Sequence, residues 1–311
     1  MSDVYFLPWD KREKLAKWLK NIGAFKHIQS REFVALKIHF GEEGNNGFID
    51  PKTIKPIVRH IKDRTAWPFL TDANTIYVGK RSDALHHAIT AEKHGFTTEN
   101  CDCPVIIADG LRGNSGVDVE IHQKHFKSAS IANAIHYAES LIFLSHFKGH
   151  ELTGFGGTLK NIGMGCATRA GKYAMHHSVN PRVNIDHCTA CGKCIQWCPA
   201  GALELKNKKI VFDNKKCIGC GECILSCVFN VFSIPWNEST KSVQEKIVEY
   251  SYAVLKNKKH FSVNFLKHIT KYCDCYSDRG KPLTEDIGIL ASNDPVALDQ
   301  ASADMVNKKH G

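Results

Sequence analysis

A duplicated run of cysteines near the middle of this 311-residue chain constrains its fold more than any other feature. Both runs have the spacing C-x2-C-x2-C-x3-C, and each cysteine recurs 29 residues later, so the pair is an internal duplication. The eight members are Cys188, Cys191, Cys194, Cys198, Cys217, Cys220, Cys223 and Cys227. Cysteines at metal-binding spacings in a chain of this length indicate metal sites rather than disulfides, and therefore a reducing, cytoplasmic compartment.

The spacing explains how the thiolates would share two clusters. Three thiolates two residues apart let a short loop wrap one face of a cuboidal [4Fe–4S] cluster, whereas the fourth points towards the other cluster, as in bacterial ferredoxins. We therefore expect one cluster on Cys188, Cys191, Cys194 and Cys227, and a second on Cys217, Cys220, Cys223 and Cys198. Zinc ribbons use isolated C-x2-C pairs, which two complete runs do not match. The module, residues 183–235, has little core, so the metal is expected to hold it together.

The segments on both sides of the module, 1–182 and 236–311, alternate apolar strands with amphipathic helices. Strands are predicted at Phe33–His39, Phe69–Asp72, Val105–Asp109, Leu141–His146, Phe261–Phe265 and Ile287–Leu290. Helices are predicted to begin at Asp10, Asp50, Ser82, Ser128, Ser242 and Pro295. This pattern predicts a three-layer α/β domain with a mixed or mostly parallel sheet, interrupted by a small α+β ferredoxin-like insertion that carries the clusters.

Polar residues end four of the predicted strands. They are His39, Asp72, Asp109 and His146. In open α/β sheets the carboxyl ends of the strands face the ligand crevice, so these side chains would meet at one edge of the sheet. Lys37 alternates to the same face as His39. The alternative is that these polar residues only terminate their strands. The segment that follows His146 favours a ligand site instead.

That segment is rich in glycine, with seven glycines between positions 149 and 171. A helix that begins near Gly157 would direct its positive end at a phosphate, carboxylate or sulfonate. The expected ligand loop comprises Lys148, Gly154, Gly156, Gly157, Lys160 and Asn161. The catalytic candidates, as proton donors and anion clamps, are His39, His146, His150 and Lys160. A flexible connector is the alternative, and neither a dinucleotide fingerprint nor a P-loop is present.

The charge balance narrows the class of partner. The formal net charge is +9 with the cysteines counted as neutral. It falls to roughly +5 if each cluster with its thiolates carries about −2, a mild basic balance that suits a redox partner protein or a small anionic substrate. No arginine-rich run or basic stripe with interleaved aromatics indicates nucleic-acid binding. No apolar run approaches the length of a membrane span, so no membrane partner is expected.

Several longer motifs resemble a known family. They include His146-Phe-Lys-Gly-His150, the stretch Gly154-Phe-Gly-Gly-Thr-Leu-Lys-Asn-Ile-Gly-Met-Gly-Cys166, and Asp294-Pro-Val-Ala-Leu-Asp299. The chain resembles an uncharacterised iron–sulfur family of anaerobic bacteria and archaea, a domain of unknown function with an inserted ferredoxin module. The resemblance implies electron transfer through two [4Fe–4S] clusters. A likeness to the lactate-racemase fold implies a ligand among histidines and lysines. Family members continue beyond a helix like Pro295–Val306, so a continuation past Gly311 is expected.

Five cysteines lie outside the two runs. Cys101 and Cys103 form one C-x-C pair and Cys273 and Cys275 form another, while Cys166 lies in the glycine-rich segment. The two pairs would make a four-thiolate metal site if the fold brought them together. Isolated thiols are the alternative, and the one we expect in a reducing cell.

Two functions therefore remain open from the sequence. In the first, the α/β domain is an oxidoreductase that binds a small anionic substrate on the glycine-rich loop and is connected to the clusters. In the second, the chain is an electron carrier or a subunit of a redox complex, and the α/β domain is a docking platform. The oligomeric state, the redox partner and the reaction are not encoded in any recognisable motif.

Overall fold

The computed structural model describes residues 2–176, 180–235, 239–276 and 280–310, so the expected continuation past Gly311 lies outside it. Its strands are β1 (Tyr5–Pro8), β2 (Phe33–Ile38), β3 (Trp67–Asp72), β4 (Val105–Ile107), β5 (Gly116–Glu120), β6 (Ser128–Ala132), β7 (Ser140–His146), β8 (Lys148–His150), β9 (Gly154–Gly156), β10 (Arg182–Val183), β11 (Leu203–Lys206), β12 (Lys209–Phe212), β13 (Phe232–Ser233), β14 (Lys259–Leu266) and β15 (Gly288–Ser292).

The helices lie between and around these strands. They are α1 (Leu15–Asn21), α2 (Pro51–Lys62), α3 (Ala84–Lys93), α4 (Thr98–Cys101), α5 (Asn133–Tyr137), α6 (Thr158–Gly163), α7 (Arg169–His176), α8 (Lys193–Gln196), α9 (Glu222–Ser226), α10 (Thr240–Leu255) and α11 (Pro295–His310), with short 3-10 helices at Trp9–Lys14 and Ile185–His187.

One seven-stranded sheet organises the larger part of the chain. Its order is β1-β15-β14-β7-β2-β3-β4. The five strands from β14 to β4 pair in parallel, and β15 and β1 add antiparallel to one side. The sheet is therefore mixed and mostly parallel, which confirms the predicted fold class.

The residue pattern of the strands explains why both faces of the sheet are covered. In β2, Val34, Leu36 and Ile38 join one buried core together with α1 and α2, whereas Ala35 joins a second core on the opposite face. Helix α2 presents Ile54, Ile57, Val58 and Ile61 to the first core, and all four are fully buried. Each such side chain contributes about 1.5–3 kcal/mol relative to exposure. Helices α6, α7 and α10 cover the second face.

Three predicted helix starts are wrong in detail. Ser128 begins strand β6 rather than a helix, because Ala129 and Ile131 alternate into the core at the two-residue period of a strand. Helix α3 is capped by the carboxylate of Asp83, which accepts a hydrogen bond from the His86 amide, and not by Ser82. Asp10 lies within the 3-10 helix Trp9–Lys14, so α1 begins at Leu15 without a side-chain cap.

The cysteine runs lie in a small unit outside the main sheet. Its first and last strands, β10 and β13, pair antiparallel, which brings the two ends of the unit together. The duplication is visible in the backbone, because residues with positive φ recur in equivalent places. These pairs are Ala190 and Gly219 (60° and 68°), Gly192 and Gly221 (72° and 73°), and Gly201 and Asn230 (58° and 55°). Gly192 and Gly221 precede the short helices α8 and α9.

Candidate functional site

A cavity of about 560 Å³ opens at the carboxyl ends of β2, β3 and β7. Of the four polar residues predicted to end strands, His39, Asp72 and His146 line it. The fourth, Asp109, is buried behind the lining, where its carboxylate accepts hydrogen bonds from the backbone and side-chain amides of Asn74. The parallel order of the strands is what brings the first three together.

Most of the predicted ligand residues also line this cavity. His39, His146 and His150 do so, together with Lys148, Gly157, Lys160 and Asn161. Gly154 and Gly156 instead form strand β9, which pairs with β8 in a short hairpin beside the cavity. The glycine-rich segment thus supplies side chains to the site, and its glycines shape the backbone around them.

His39 is the histidine best placed to serve a ligand. Its Nδ1 accepts a hydrogen bond from the Gly41 amide at 3.0 Å, so the ring proton resides on Nε2. The Nε2 atom is buried and has no hydrogen-bond partner within the described residues. Burial, with the nearby Arg81 charge, holds the pKa of His39 well below its usual range. The cavity therefore contains a neutral imidazole with one unsatisfied N–H donor, a costly arrangement unless a ligand completes it.

His146 serves a different purpose because both of its ring nitrogens have partners. Nδ1 lies 2.8 Å from the Asp274 carboxylate and Nε2 lies 2.8 Å from the Lys267 carbonyl oxygen. Lys148 approaches the same carboxylate at 3.2 Å. Burial alone would raise the pKa of Asp274, but the interactions with His146 and Lys148 outweigh it and hold the pKa well below the usual range. His146 and Lys148 thus anchor Asp274 rather than present themselves to a ligand.

A cluster of sulfur and nitrogen atoms forms another wall of the cavity. The Sγ atoms of Cys273 and Cys275 lie 3.4 Å apart, and the Lys160 ammonium lies 3.7 Å from Cys273 Sγ. His150 also hydrogen-bonds to Cys273. Burial disfavours the charge of Lys160, yet attraction from the sulfur pair outweighs it and raises its pKa. Lys160 is therefore a fixed cation that faces the cavity.

The predicted anion site at the start of α6 is taken by the protein itself. The Asp299 carboxylate accepts hydrogen bonds from the amides of Thr158 and Leu159 at 2.7 and 2.8 Å. The Asn264 amide donates a third at 2.8 Å. Because a carboxylate supplied by α11 satisfies this helix terminus, an external anion would have to be bound by side chains.

Among the cavity lysines, Lys37 and Lys148 each pair with a carboxylate, whereas Lys160 and Lys172 do not within the described residues. Lys37 is paired with Asp72 at 2.8 Å and donates to the Asn161 side chain at 2.8 Å. Lys160 and Lys172 have no carboxylate at ion-pair distance in the described part of the chain, where Lys172 donates to the Ala167 carbonyl oxygen. Burial lowers the pKa of Lys172 to about 8. These two lysines are the charges on which an anionic ligand would act most strongly.

Three further cavity residues, Arg81, Tyr77 and Tyr276, belong to no recognisable sequence pattern. Arg81 is buried and contacts Glu42 at 3.2 Å, and its guanidinium donates to the Tyr77 hydroxyl at 2.7 Å. Tyr276 follows the C-x-C pair at the cavity wall. The spacing of Cys273 and Cys275 is the usable signal here, and it leaves a metal site and isolated thiols open, with isolated thiols expected. The other pair, Cys101 and Cys103, is buried in the opposite core, so the two pairs do not meet.

The eight cysteines of the duplicated runs surround two small cavities. Cys188, Cys191, Cys194 and Cys227 line one, and Cys198, Cys217, Cys220 and Cys223 line the other. These are the two crossed sets expected from the spacing. Among the described residues, no three metal-binding side chains converge on a single point. The donor set, four thiolates around each cavity, fits a [4Fe–4S] group.

Helix α7 lies between the cysteine unit and the large cavity. Tyr173 packs in the core of the cysteine unit close to the thiols of the second set, and Arg169, one turn earlier, pairs with Glu222 at 3.4 Å. Lys172 and His176, also one turn apart, line the large cavity. These four residues are spaced by three and four positions and therefore lie along one face of the helix, so one surface of α7 borders both sites.

Ion pairs fix the cysteine unit to this helix. Arg112 donates two hydrogen bonds to one oxygen of the Glu222 carboxylate, at 3.0 and 2.8 Å, and Arg169 contacts the other oxygen at 3.4 Å. The guanidinium of Arg112 also lies 3.8 Å above the Trp197 ring. Glu222 is buried and is the first residue of α9, between Cys220 and Cys223. The two arginines therefore contact the second cysteine run itself.

The family of the chain follows from residues 34–304, which match the domain of unknown function DUF362. The chain belongs to this family. The matched range includes the sheet, the cavity and the inserted cysteine unit, so the resemblance noted in the sequence is confirmed. None of the helices described for this DUF362 protein has both the length and the apolar composition needed to cross a bilayer.

Shorter stretches of this DUF362 protein are similar to iron–sulfur proteins. One of 60 residues is 38% identical to the aliphatic sulfonate oxidoreductase polyferredoxin-like subunit of Pyrococcus furiosus, covering 18% of this chain and 35% of that protein. One of 72 residues is 35% identical to pyruvate synthase subunit PorD of Methanothermobacter marburgensis, covering 23% and 82%. A third, of 39 residues, is 46% identical to the ferredoxin-like protein in the nif region of Sinorhizobium fredii, covering 12% and 61%. The chain carries an iron–sulfur ferredoxin module.

Two solved structures are similar to the whole DUF362 chain. A crystal structure of a protein from Thermotoga maritima gives a TM-score of 0.53 at 9% identity, covering 98% of this chain and 61% of that one. It shows a shared α/β fold. The lactate racemase apoprotein of Thermoanaerobacterium thermosaccharolyticum gives a TM-score of 0.47 at 10% identity, covering 95% and 55%. That similarity is too low to support a shared ligand site.

Proposed function

We propose that this protein is an iron–sulfur oxidoreductase whose α/β domain, residues 1–182 and 236–311, binds a small anionic substrate in the large cavity. The ferredoxin module, residues 183–235, holds two [4Fe–4S] clusters on the two crossed cysteine sets. When bound, these clusters supply one-electron transfer. The observation that carries the proposal is helix α7, where Tyr173 lies near the second cysteine set and Arg169 pairs with Glu222, while Lys172 and His176 line the cavity.

Charge and hydrogen-bonding capacity in the cavity support an anionic substrate. Lys160 and Lys172 lack carboxylate partners in the described residues, and His39 has an unsatisfied N–H donor. Preorganised donors in a buried site bind an anion strongly, because they need not reorganise and water is largely excluded. Carboxylates, phosphates and sulfonates are the ligand classes that fit three such donors.

Proton transfer would be the task of side chains at the cavity wall. His39 Nε2 carries a proton at neutral pH, and Lys172 has a pKa of about 8. A group whose pKa lies near the working pH can give and regain a proton readily. Lys172 is thus the better proton donor, and Lys160, with its raised pKa, the better permanent charge.

A redox partner protein would exchange electrons at the far side of the module. Cys191, in the first cysteine set, is exposed, whereas the second set lies against α7. Electrons would therefore pass from the partner to the first cluster, then to the second cluster, and from there to the cavity. Solvent-exposed cluster ligands are the natural entry for electrons in such a series.

A second candidate function is supported by the comparisons. Two of the similar proteins are named as subunits of larger redox enzymes. In this alternative the chain is an electron carrier or complex subunit, and the α/β domain is a docking platform. The cavity residues would then matter only for stability.

Calorimetric titration with small anions separates the two functions. Anaerobically reconstituted wild type, Lys160→Met and His146→Ala are titrated with carboxylates, phosphates and sulfonates, with the exposed Lys52→Met as the matched control. Loss of the Lys160 contact should cost about 1.5–3 kcal/mol, at least about tenfold in affinity. His146→Ala should also weaken binding, since Asp274 loses its anchor, and all variants should keep their iron. If no anion binds wild type, or if Lys160→Met binds as tightly as Lys52→Met, the carrier function is correct.

A further inference from the structure

Cys273 and Cys275 form a fixed pair of thiols in the cavity. Their Sγ atoms are 3.4 Å apart, and both residues line the cavity wall. The residue between them, Asp274, is held by His146 and Lys148. The Asn45 side chain donates to the carbonyl oxygens of Asp274 and Tyr276, at 3.1 and 3.0 Å. Since side chains from three other segments hold this turn, the sulfur atoms are positioned by the fold.

Hydrogen-bond donors surround Cys273. The Lys160 ammonium is 3.7 Å from its sulfur. His150 Nδ1 accepts hydrogen bonds from the amides of Leu152 and Thr153, so its proton is on Nε2 and is donated to Cys273. The contact with Cys275, together with the charge of Lys160, outweighs burial and holds the pKa of Cys273 well below its usual range. The partner Cys275 keeps its proton, and its pKa is raised well above the usual range.

This environment suits a nucleophilic thiolate better than a metal ion. A metal ion would need the lone pair of His150 Nε2, which carries the proton, and it would be repelled by the Lys160 ammonium. Among the described residues no three metal-binding side chains converge at this place. A thiolate next to a protonated thiol is instead the arrangement that attacks a disulfide and then resolves the mixed disulfide.

The chain contains a natural comparison for this pair. Cys101-Asp102-Cys103 has the same tripeptide sequence, but both of its sulfur atoms are buried in the apolar core. Burial raises the pKa of Cys101 to about 11 and that of Cys103 to about 12. No cavity lysine or histidine approaches them in the described structure, so this pair is expected to be unreactive.

We propose that Cys273 and Cys275 are a redox-active dithiol that reduces a small anionic disulfide bound in the cavity. The Cys273 thiolate attacks one sulfur of the substrate and releases the first thiol product. Cys275 then attacks Cys273, which forms the Cys273–Cys275 disulfide and releases the second. The first product leaves as a thiolate and the second takes the proton of Cys275. Return to the thiolate–thiol pair therefore takes two electrons and one proton, and two one-electron clusters hold that number of electrons. The inference rests on the proposed function for its anion site and its electrons.

Thiol mapping of the holoprotein tests the inference without relying on turnover. Anaerobically reconstituted protein is mixed with dithiobis(nitrobenzoate), an anionic disulfide, or with cystamine, a cationic one. It is then alkylated under denaturing conditions, digested and analysed by mass spectrometry. We expect Cys273 and Cys275 to be joined, with loss of two hydrogens, while Cys101 and Cys103 are alkylated as thiols. Cys275→Ser should instead retain one half of the reagent on Cys273.

The rates provide the second readout. The anionic reagent should react at least about tenfold faster than cystamine, because the cavity is positive. Lys160→Met should slow the reaction at least about tenfold, because the thiolate of Cys273 is less populated, and Lys52→Met should leave the rate unchanged. Iron content should stay the same in all variants.

Two results would overturn the inference. One is that Cys273 reacts no faster than Cys101 and Cys103 in the same sample. The other is a metal ion that purifies in stoichiometric amount with wild type and is lost in Cys273→Ser. If the thiols are inert while carboxylates still bind in the cavity, only this inference fails. If the thiols react equally with both reagents and no anion binds, the proposed anion site fails as well.

Discussion

Arg112 and Glu222 join the α/β domain to the ferredoxin module through two hydrogen bonds of 3.0 and 2.8 Å. Arg169 contacts the remaining oxygen of the same carboxylate. Glu222 is only 4% exposed, so the two guanidinium groups depend on one buried anion. Removal of a buried charge that compensates others is far more costly than loss of an exposed pair.

Replacement of this carboxylate should therefore destabilise the protein. Glu222→Gln should lower the free energy of unfolding by about 3 kcal/mol, because two cations near the module lose their partner. The matched control is Glu204→Gln, whose ion pair with Lys206 is exposed on both sides and should change stability by less than about 1 kcal/mol. Anaerobic denaturant unfolding measures both. Equal stability of the two variants would show that Glu222 does not fix the module.

The start of α6 should tolerate no side chain at Gly157. A Cβ there would overlap the Asp299 carboxylate, which would have to leave the amides of Thr158 and Leu159. Gly157→Ala should cost about 1.5–3 kcal/mol, the value of a hydrogen bond to a charged group. Gly79→Ala is the control, since the nearest ring atom is an ordinary 3.7 Å away. Thermal unfolding that is unchanged in Gly157→Ala would argue against the Asp299 contact.

Anion affinity should fall as the pH rises through about 8. Burial lowers the pKa of Lys172 to about 8, so its charge is present below that pH and lost above it. Asp109, Asp72, Lys37 and Cys166 also face Lys172, and burial keeps Cys166 neutral here with a pKa of about 12. Affinity for a sulfonate, which does not itself titrate, should drop up to about tenfold per pH unit above that point. In Lys172→Met the calorimetric affinity should be flat, and a slope equal to that of wild type would assign the effect to another group.

Cluster content should follow the crossed ligand sets. Wild type should contain about eight irons and eight sulfides after anaerobic reconstitution. Cys198→Ala should disturb the cluster of Cys217, Cys220 and Cys223, and Cys227→Ala the cluster of Cys188, Cys191 and Cys194. Iron analysis and electron paramagnetic resonance distinguish the two variants. About four irons in wild type, or stoichiometric zinc, would contradict the two-cluster assignment.

Local patterns in the sequence predicted the module and much of the sheet. The crossed cysteine sets follow from spacing within short runs, and the three layers follow from alternation of apolar residues. His39, Asp72 and His146 meet because parallel strands end at one edge. A serine before small residues resembles a helix start, which is why the sequence predicts a helix from Ser128. The segment is a strand because its side chains are buried with a two-residue period.

Contacts between distant segments could not be predicted from the sequence. The anion of the α6 start is Asp299, which lies about 140 residues further along the chain. The Cys273–Cys275 turn is held at the cavity by distant segments, and one of these contacts joins Asp274 to His146, 128 residues earlier. The local periodicity of the sequence does not indicate which loop packs over the end of a given strand. His146 is paired with Asp274, and Asp299 occupies the start of α6. The structure therefore gives His146 and the glycine-rich segment roles that differ from those expected.

The midpoint potential of the cluster next to α7 tests most directly whether the cavity and the module work as one unit. The measurement is an anaerobic redox titration, followed by electron paramagnetic resonance, with and without a saturating anion taken from the calorimetric titrations. We predict that the bound anion shifts the potential of the cluster on Cys198, Cys217, Cys220 and Cys223 to a more negative value, because negative charge nearby disfavours an added electron. Lys160→Met should show no shift at the same concentration. An unchanged potential in wild type with the anion bound would contradict the account.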